Sequence, residues 1–123
     1  VTDLKPAKYS GRKLKKRKDD LSSISVESNP DILANLGKNK KEGQLLIGFA
    51  AESNSLLENA RFKLKEKNLD MIVANDISRK DIGFQSEKNQ VILLTEDYQK
   101  ELSLMKKSEL ADIILNKIVE LDN

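Results

Sequence analysis

Cysteine and histidine are both missing from the 123 residues. The first absence removes disulfides, thiolate zinc sites and cysteine nucleophiles. The second removes Ser–His hydrolysis and histidine metal ligands from this chain's repertoire. Tryptophan is absent too, and aromatics make up only 4%, which is poor material for stacking nucleic-acid bases. No apolar run approaches the roughly 20 residues that span a bilayer, and the first residues hold no apolar core of the signal-peptide kind. A general nucleic-acid binder is disfavoured, although a basic run at 11–20 leaves that alternative open, and a cytoplasmic protein with no membrane partner is expected. Its chemistry must run on lysine, arginine, carboxylates, amides, backbone dipoles and a bound ion. Such a set suits reactions governed by phosphate charge.

What is present is one ordinary core's worth of chain, with 38% hydrophobic residues. Charged residues reach 34%, yet the net charge is only +2. Positive charge is therefore local. Segment 11–20 reads GRKLKKRKDD, and six of the seven residues in 12–18 are basic. A run of this kind is a solvated loop, a nucleic-acid patch, or a lysine set aimed at a smaller anion. Leu14 inside it and Asp19 and Asp20 after it weaken the patch reading. The opening VTD reads as a strand end with its loop, so a longer parent polypeptide is expected.

Residues 1–20 show no clean period and read as loop. In 21–28 Ile24 and Val26 alternate with serines and Glu27, which predicts a half-buried strand. A short helix is predicted over 29–37, with Asn29 as cap, Pro30 in the first helical position and Gly37 as its stop. LLIGFA (45–50) is a buried strand, and 56–68 is a helix with Ser55 and Glu58 at capping-box spacing. Buried strands follow at 70–76 and 90–95, then a hairpin with a short strand at 101–104 and a last helix capped by Ser108. The order β-α-β-α-β-β-β-α implies an α/β sandwich with a largely parallel sheet. Ligands of such sheets sit outside the carboxyl ends of the strands, after Phe49 and after Ala74.

Four short stretches carry candidate chemistry, each with a plainer alternative. GFAAES (48–53) ends a strand and enters a helix, a place that favours anions, but it also serves as an ordinary βα turn. Neither GxxxxGK[ST] nor GxGxxG is present. Lys63 and Lys67, four apart, can hold adjacent phosphates or stay solvated and locally paired, with Asn59 and Glu66 nearby. VAND (73–76) can contact a ribose or a metal-bound water, or cap the next turn. NPDI (29–32) is sufficient simply as a helix start.

Taken in order, VTDLKP, KLKK, NPDIL, GFAAES, KEKNLD, VAND and GFQSEKNQV resemble the carboxy-terminal half of bacterial phosphopantothenate–cysteine ligase. That enzyme is the synthetase part of the coenzyme A biosynthesis flavoprotein. The family pattern runs V-A-D-[YW]-[RK]-P, K-[IL]-K, N-P-D-I, G-F-A-A-E-T, K-x-x-x-K-x-x-D and V-A-N-D, and it covers almost the whole chain. The resemblance implies a three-layer Rossmann-like α/β sandwich with a mostly parallel central sheet, present as a partial domain. Residues 1–123 would be the carboxy-terminal part of one synthetase domain, with 1–20 as a flexible lysine-rich flap.

It also implies a ligation in two steps, in which CTP activates the carboxylate of 4′-phosphopantothenate and cysteine then displaces CMP. Lys13 matches the catalytic lysine of K-[IL]-K, which stabilises negative charge on the phosphoryl centre. Asp3 matches a nucleotide-contacting aspartate, and Asn29, Pro30, Asp31 and Ile32 match cytidine contacts. Phe49 matches a residue packing at the nucleotide, and Lys63 and Lys67 match lysines holding triphosphate oxygens. Mg²⁺ is expected with the nucleotide, FMN only in a fused upstream decarboxylase domain, and a homodimer as the assembly. Thr2, Leu4 and Ser53 depart mildly from the pattern. The family's G-G-T-x-E-x-I-D segment lies outside this sequence. The isolated piece is therefore expected to be inactive alone, and the alternative role is a nucleotide-binding and dimerisation fragment.

Overall fold

The computed structural model describes residues 3–8, 11, 24–78 and 88–123, with only the backbone for 88–90. Lys13, the rest of the basic run, and Gly83 and Phe84 lie outside the described residues. The chain divides into two compact units, Val1–Ile32 and Leu33–Asn123.

The first unit holds an antiparallel ribbon of β1 (Leu4–Pro6) and β2 (Val26–Ser28), registered Leu4 to Ser28 and Pro6 to Val26. The Asn29 N–H donates to the Asp3 carbonyl at 2.8 Å, and the Ala7 N–H to the Ser25 carbonyl at 2.9 Å. Two expectations are corrected here. β1 falls where loop is predicted, because all its residues are exposed and a strand with no buried face leaves no alternation to read. Of the described residues 24–28, β2 takes only 26–28, and Ile24 and Val26 are exposed, not half-buried.

The helix after the ribbon, α1 (Ile32–Lys38), starts two residues beyond Pro30. Asn29 is still bonded into the ribbon, so the chain cannot turn helical at the proline. Gly37 does not stop the helix; it sits inside it, buried. A Cβ at that position would lie 1.9 Å from the Lys67 carbonyl oxygen. Glycine is required there by close backbone approach.

The second unit is built on a sheet ordered β3-β4-β5-β6, from β3 (Ile47–Glu52), β4 (Met71–Asp76), β5 (Lys88–Leu94) and β6 (Gln99–Lys106). The α/β class is as expected, but the pairing is mixed. β3 and β4 are parallel, whereas β4–β5 and β5–β6 are antiparallel. The β5–β6 turn closes tightly, with the Thr95 N–H donating to the Tyr98 carbonyl at 2.8 Å. β6 is twice the predicted length; only Leu102 of it is buried, which leaves a faint pattern.

Helix α2 (Leu56–Glu66) covers one face of the sheet and α3 (Lys107–Asp122) the other. Ala60 and Leu64 of α2 pack on Leu69, Ile72, Ala74 and Leu94. Leu110 and Ile114 of α3 pack on Met71, Val73, Val91, Leu93 and Leu102. Ser55 stands at the N-cap of α2 as expected, but its side chain does not cap, and Ser108 is not the cap of α3. Ser55 adopts the left-handed region at φ 46° and makes no side-chain cap bond. β6 runs directly into α3, so Lys106 occupies the cap position and Ser108 falls in the first turn. Lys117 secures α3 by placing its ammonium 3.7 Å from the Tyr98 ring centre.

Candidate functional site

Parallel pairing brings the ends of β3 and β4 level, with Ala51 opposite Asn75 and Glu52 opposite Asp76. The Ile77 N–H donates to the Glu52 carbonyl at 3.0 Å, which ties the two outgoing loops together. GFAAES and VAND therefore meet at one edge of the sheet, beside the start of α2.

Helix α2 returns from that edge, and its side chains lean toward its amino terminus. Lys63 reaches back to the strand end, where its ammonium is ion-paired with the Glu52 carboxylate. The other Glu52 oxygen accepts from the Asn59 amide at 3.3 Å, and that amide also donates to the Asn54 carbonyl at 3.1 Å. Lys63 is thus neither freely solvated nor paired within its own helix. Lys67 stands at the C-cap of α2, one turn further from the strand end, with its carbonyl packed on Gly37.

The VAND residues divide between the two alternatives. Asp76 caps the following turn, accepting from the Ser78 N–H at 2.9 Å and its hydroxyl at 2.6 Å. Asn75 does not, and its Oδ1 is buried with no partner among the described residues. An unsatisfied buried acceptor costs about 1–3 kcal/mol, so this oxygen holds unused accepting capacity at the end of β4. Strand alternation puts it on the α3 face, with Met71 and Val73.

Phe49 lies on that same face but on the edge strand, and it is 70% exposed. It borders an apolar groove of about 440 Å³ whose other wall is α3, including Ala111, Leu115 and Ile118. In the first unit, the Asp3–Asn29 backbone bond brings Asp3 beside the NPDI segment. Glu52 is the residue missed at the sequence level, and Asn59, expected beside the lysines, donates instead to Glu52 and to the Asn54 carbonyl. Glu52 sits inside the quoted GFAAES, but nothing in the spacing marks it as the partner of a lysine eleven positions on.

These features define a three-layer α/β domain whose polar strand ends lie beside a helix start. The chain belongs to the family of the DNA/pantothenate metabolism flavoprotein C-terminal domain, matched over residues 1–121. It is 42% identical over 116 residues to the coenzyme A biosynthesis bifunctional protein CoaBC of Borreliella burgdorferi, covering 94% of this chain and 29% of that protein. The CoaBC of Escherichia coli strain K12 is 39% identical over 121 residues, covering 97% of this chain and 30% of that protein. The crystal structure of a CoaBC C-terminal domain superposes with a TM-score of 0.64 at 44% identity, over 77% of this chain and 43% of that one. The chain thus spans less than a third of the length of these curated relatives, which are coenzyme A biosynthesis proteins. Among the described residues no helix is long and apolar enough to cross a membrane.

Proposed function

We propose that the chain forms part of a ligase that joins 4′-phosphopantothenate to cysteine using CTP. The 4′-phosphopantothenate carboxylate attacks the α-phosphate of CTP, forming an acyl-cytidylate and releasing pyrophosphate. The cysteine amine then attacks the activated carbonyl and releases CMP. The observation that carries this reading is the meeting of the family's GFAAES and VAND segments at one strand edge, with Lys63 returned to it. A polyphosphate there meets an ammonium and the positive end of α2. Phe49 and the Asn75 oxygen offer the nucleoside an apolar surface and an acceptor.

Lys63 and Lys67 hold triphosphate oxygens in this reading, Asp3, Asn29, Pro30, Asp31 and Ile32 contact the nucleotide, and Lys13 stabilises the charge developing at the phosphoryl centre. Mg²⁺ supplies further charge neutralisation when bound with CTP. No three acidic side chains converge among the described residues, so its ligands would come chiefly from phosphate and water. The reading extends to a homodimer in the cytoplasm. A second reading, favoured by the share of the relatives' length that the chain spans, is a nucleotide-binding and dimerising module with no activity alone.

The test is pyrophosphate release from CTP and 4′-phosphopantothenate by the chain combined with the remainder of a CoaBC synthetase domain. Lys13→Gln should lower kcat by about 100- to 1,000-fold, the usual cost of one transition-state contact. Unchanged turnover removes Lys13 from the mechanism. No pyrophosphate from the combined protein overturns the ligase reading itself.

A further inference from the structure

We infer that Glu52 is a positioning residue for polyphosphate binding, holding the Lys63 ammonium at the carboxyl end of β3 where the anion meets it. The inference deepens the proposed function and rests on it for the identity of the anion as a nucleotide triphosphate.

The carboxylate is the fixed member of the pair. Its side chain is 12% exposed against 37% for Lys63. Asn59 holds one of its oxygens and is itself held by the Asn54 carbonyl. The Glu52 backbone is locked by register with Asp76 and by the Ile77 N–H. Glu52 therefore cannot follow Lys63 outward without breaking several bonds.

The lysine is the member with capacity left. An ammonium has three N–H donors, and among the described residues Glu52 engages only part of that capacity. The Lys63 side chain keeps 37% of its surface exposed, which leaves room for an anion to reach it. A lysine free in solvent samples many rotamers, and ordering it on binding costs entropy. Glu52 meets that cost before the anion arrives. A second carboxylate at this edge does not compete for the lysine, because Asp76 is turned to its own loop. A merely structural ion pair would stabilise the βα junction and leave anion binding alone. The two roles separate experimentally.

The experiment is calorimetric titration of this chain with inorganic tripolyphosphate and with Mg·CTP, for the wild type, Lys63→Gln, Glu52→Gln and the double variant. Lys63→Gln should weaken binding about 10-fold, as expected for one charge-assisted hydrogen bond. In the Glu52→Gln background the same change should cost less than about 3-fold, because the lysine is no longer placed. An equal or larger loss in that background overturns the positioning role. CTP binding without this coupling leaves the proposed function standing and removes Glu52 from it. Coupled tripolyphosphate binding with no binding of CTP keeps the role of Glu52 and sinks the nucleotide reading. No binding of either overturns the positioning role and leaves the ligase reading to the pyrophosphate assay. Independently of any ligand, the Lys63 ammonium should give an exchange-protected ¹⁵N-edited NMR signal that Glu52→Gln abolishes. Its absence from the folded wild type overturns the inference as well.

Discussion

The two faces of the four-stranded sheet are finished differently, and β3 shows the difference within one strand. On the α2 face, Gly48 lets Leu69 and Leu33 press directly on the backbone, and Ala50 joins the core beneath the helix. Polar groups on this side are also committed. Asp70 accepts from the Leu46 N–H at 2.7 Å and from Lys40 at 3.1 Å, and Glu52 takes Lys63. On the α3 face the core is dense over β4, β5 and β6 but thins toward β3, where Phe49 borders an open groove. Closure on one face fixes the geometry of the strand ends, and the other face keeps apolar surface available.

The most disruptive way to break that contrast is at Gly37, where α1 meets the end of α2. A Cβ there meets backbone, 1.9 Å from the Lys67 carbonyl oxygen and 2.8 Å from its carbon. Neither atom can swing aside, so Gly37→Ala should cost about 3 kcal/mol, the upper end for overpacking. Urea unfolding followed by circular dichroism measures it. Gly48→Ala should cost less, because its nearest contact is the movable Leu69 side chain at 2.6 Å. Equal costs at the two sites would show that the α2 face is softer than its packing suggests.

Asp70 tests the polar half of the same face. Asp70→Ala strips the Leu46 N–H of its acceptor and leaves the Lys40 ammonium with the Asn68 carbonyl at 2.9 Å. The expected loss is about 2 kcal/mol for a part-buried donor stripped of its partner. Lys40→Met should cost less, since the Leu46 bond survives. Equal losses would mean that the ion pair, and not the backbone bond, secures the start of β3.

How much of this was legible in the sequence follows from what each residue packs against. The apolar runs of β3, β4 and β5 are readable because burial on both faces selects continuous hydrophobic sequence. The antiparallel β5–β6 pair is legible as a hairpin, but the direction of β4–β5 is not, because an apolar run looks the same beside a parallel or an antiparallel neighbour. β1 is silent, since an exposed ribbon imposes no pattern, whereas the alternation of Ile24 and Val26 signals the strand at β2 but not its exposure. Gly37 is visible as a glycine, but its reason lies thirty residues away in the Lys67 carbonyl. The same holds for the site. Lys63 is recognisable from its family pattern, whereas its hold by Glu52 is a tertiary contact that spacing cannot announce.

Phe49 gives the smallest effect and the sharpest check on the open face. With 70% of its surface exposed, the ring loses little contact with the core on removal. Phe49→Ser should change stability by less than about 0.5 kcal/mol, as for other surface sites. Exposed apolar surface bordering a groove favours association, and Leu115 adds to it at 59% exposed. Sedimentation velocity at rising concentration should therefore show weaker self-association for Phe49→Ser than for the wild type. A stability loss above about 1.5 kcal/mol would mean that the ring is packed against α3 in solution. The two faces of β3 would then be equally closed, and Phe49 would need a conformational opening before it met any ligand.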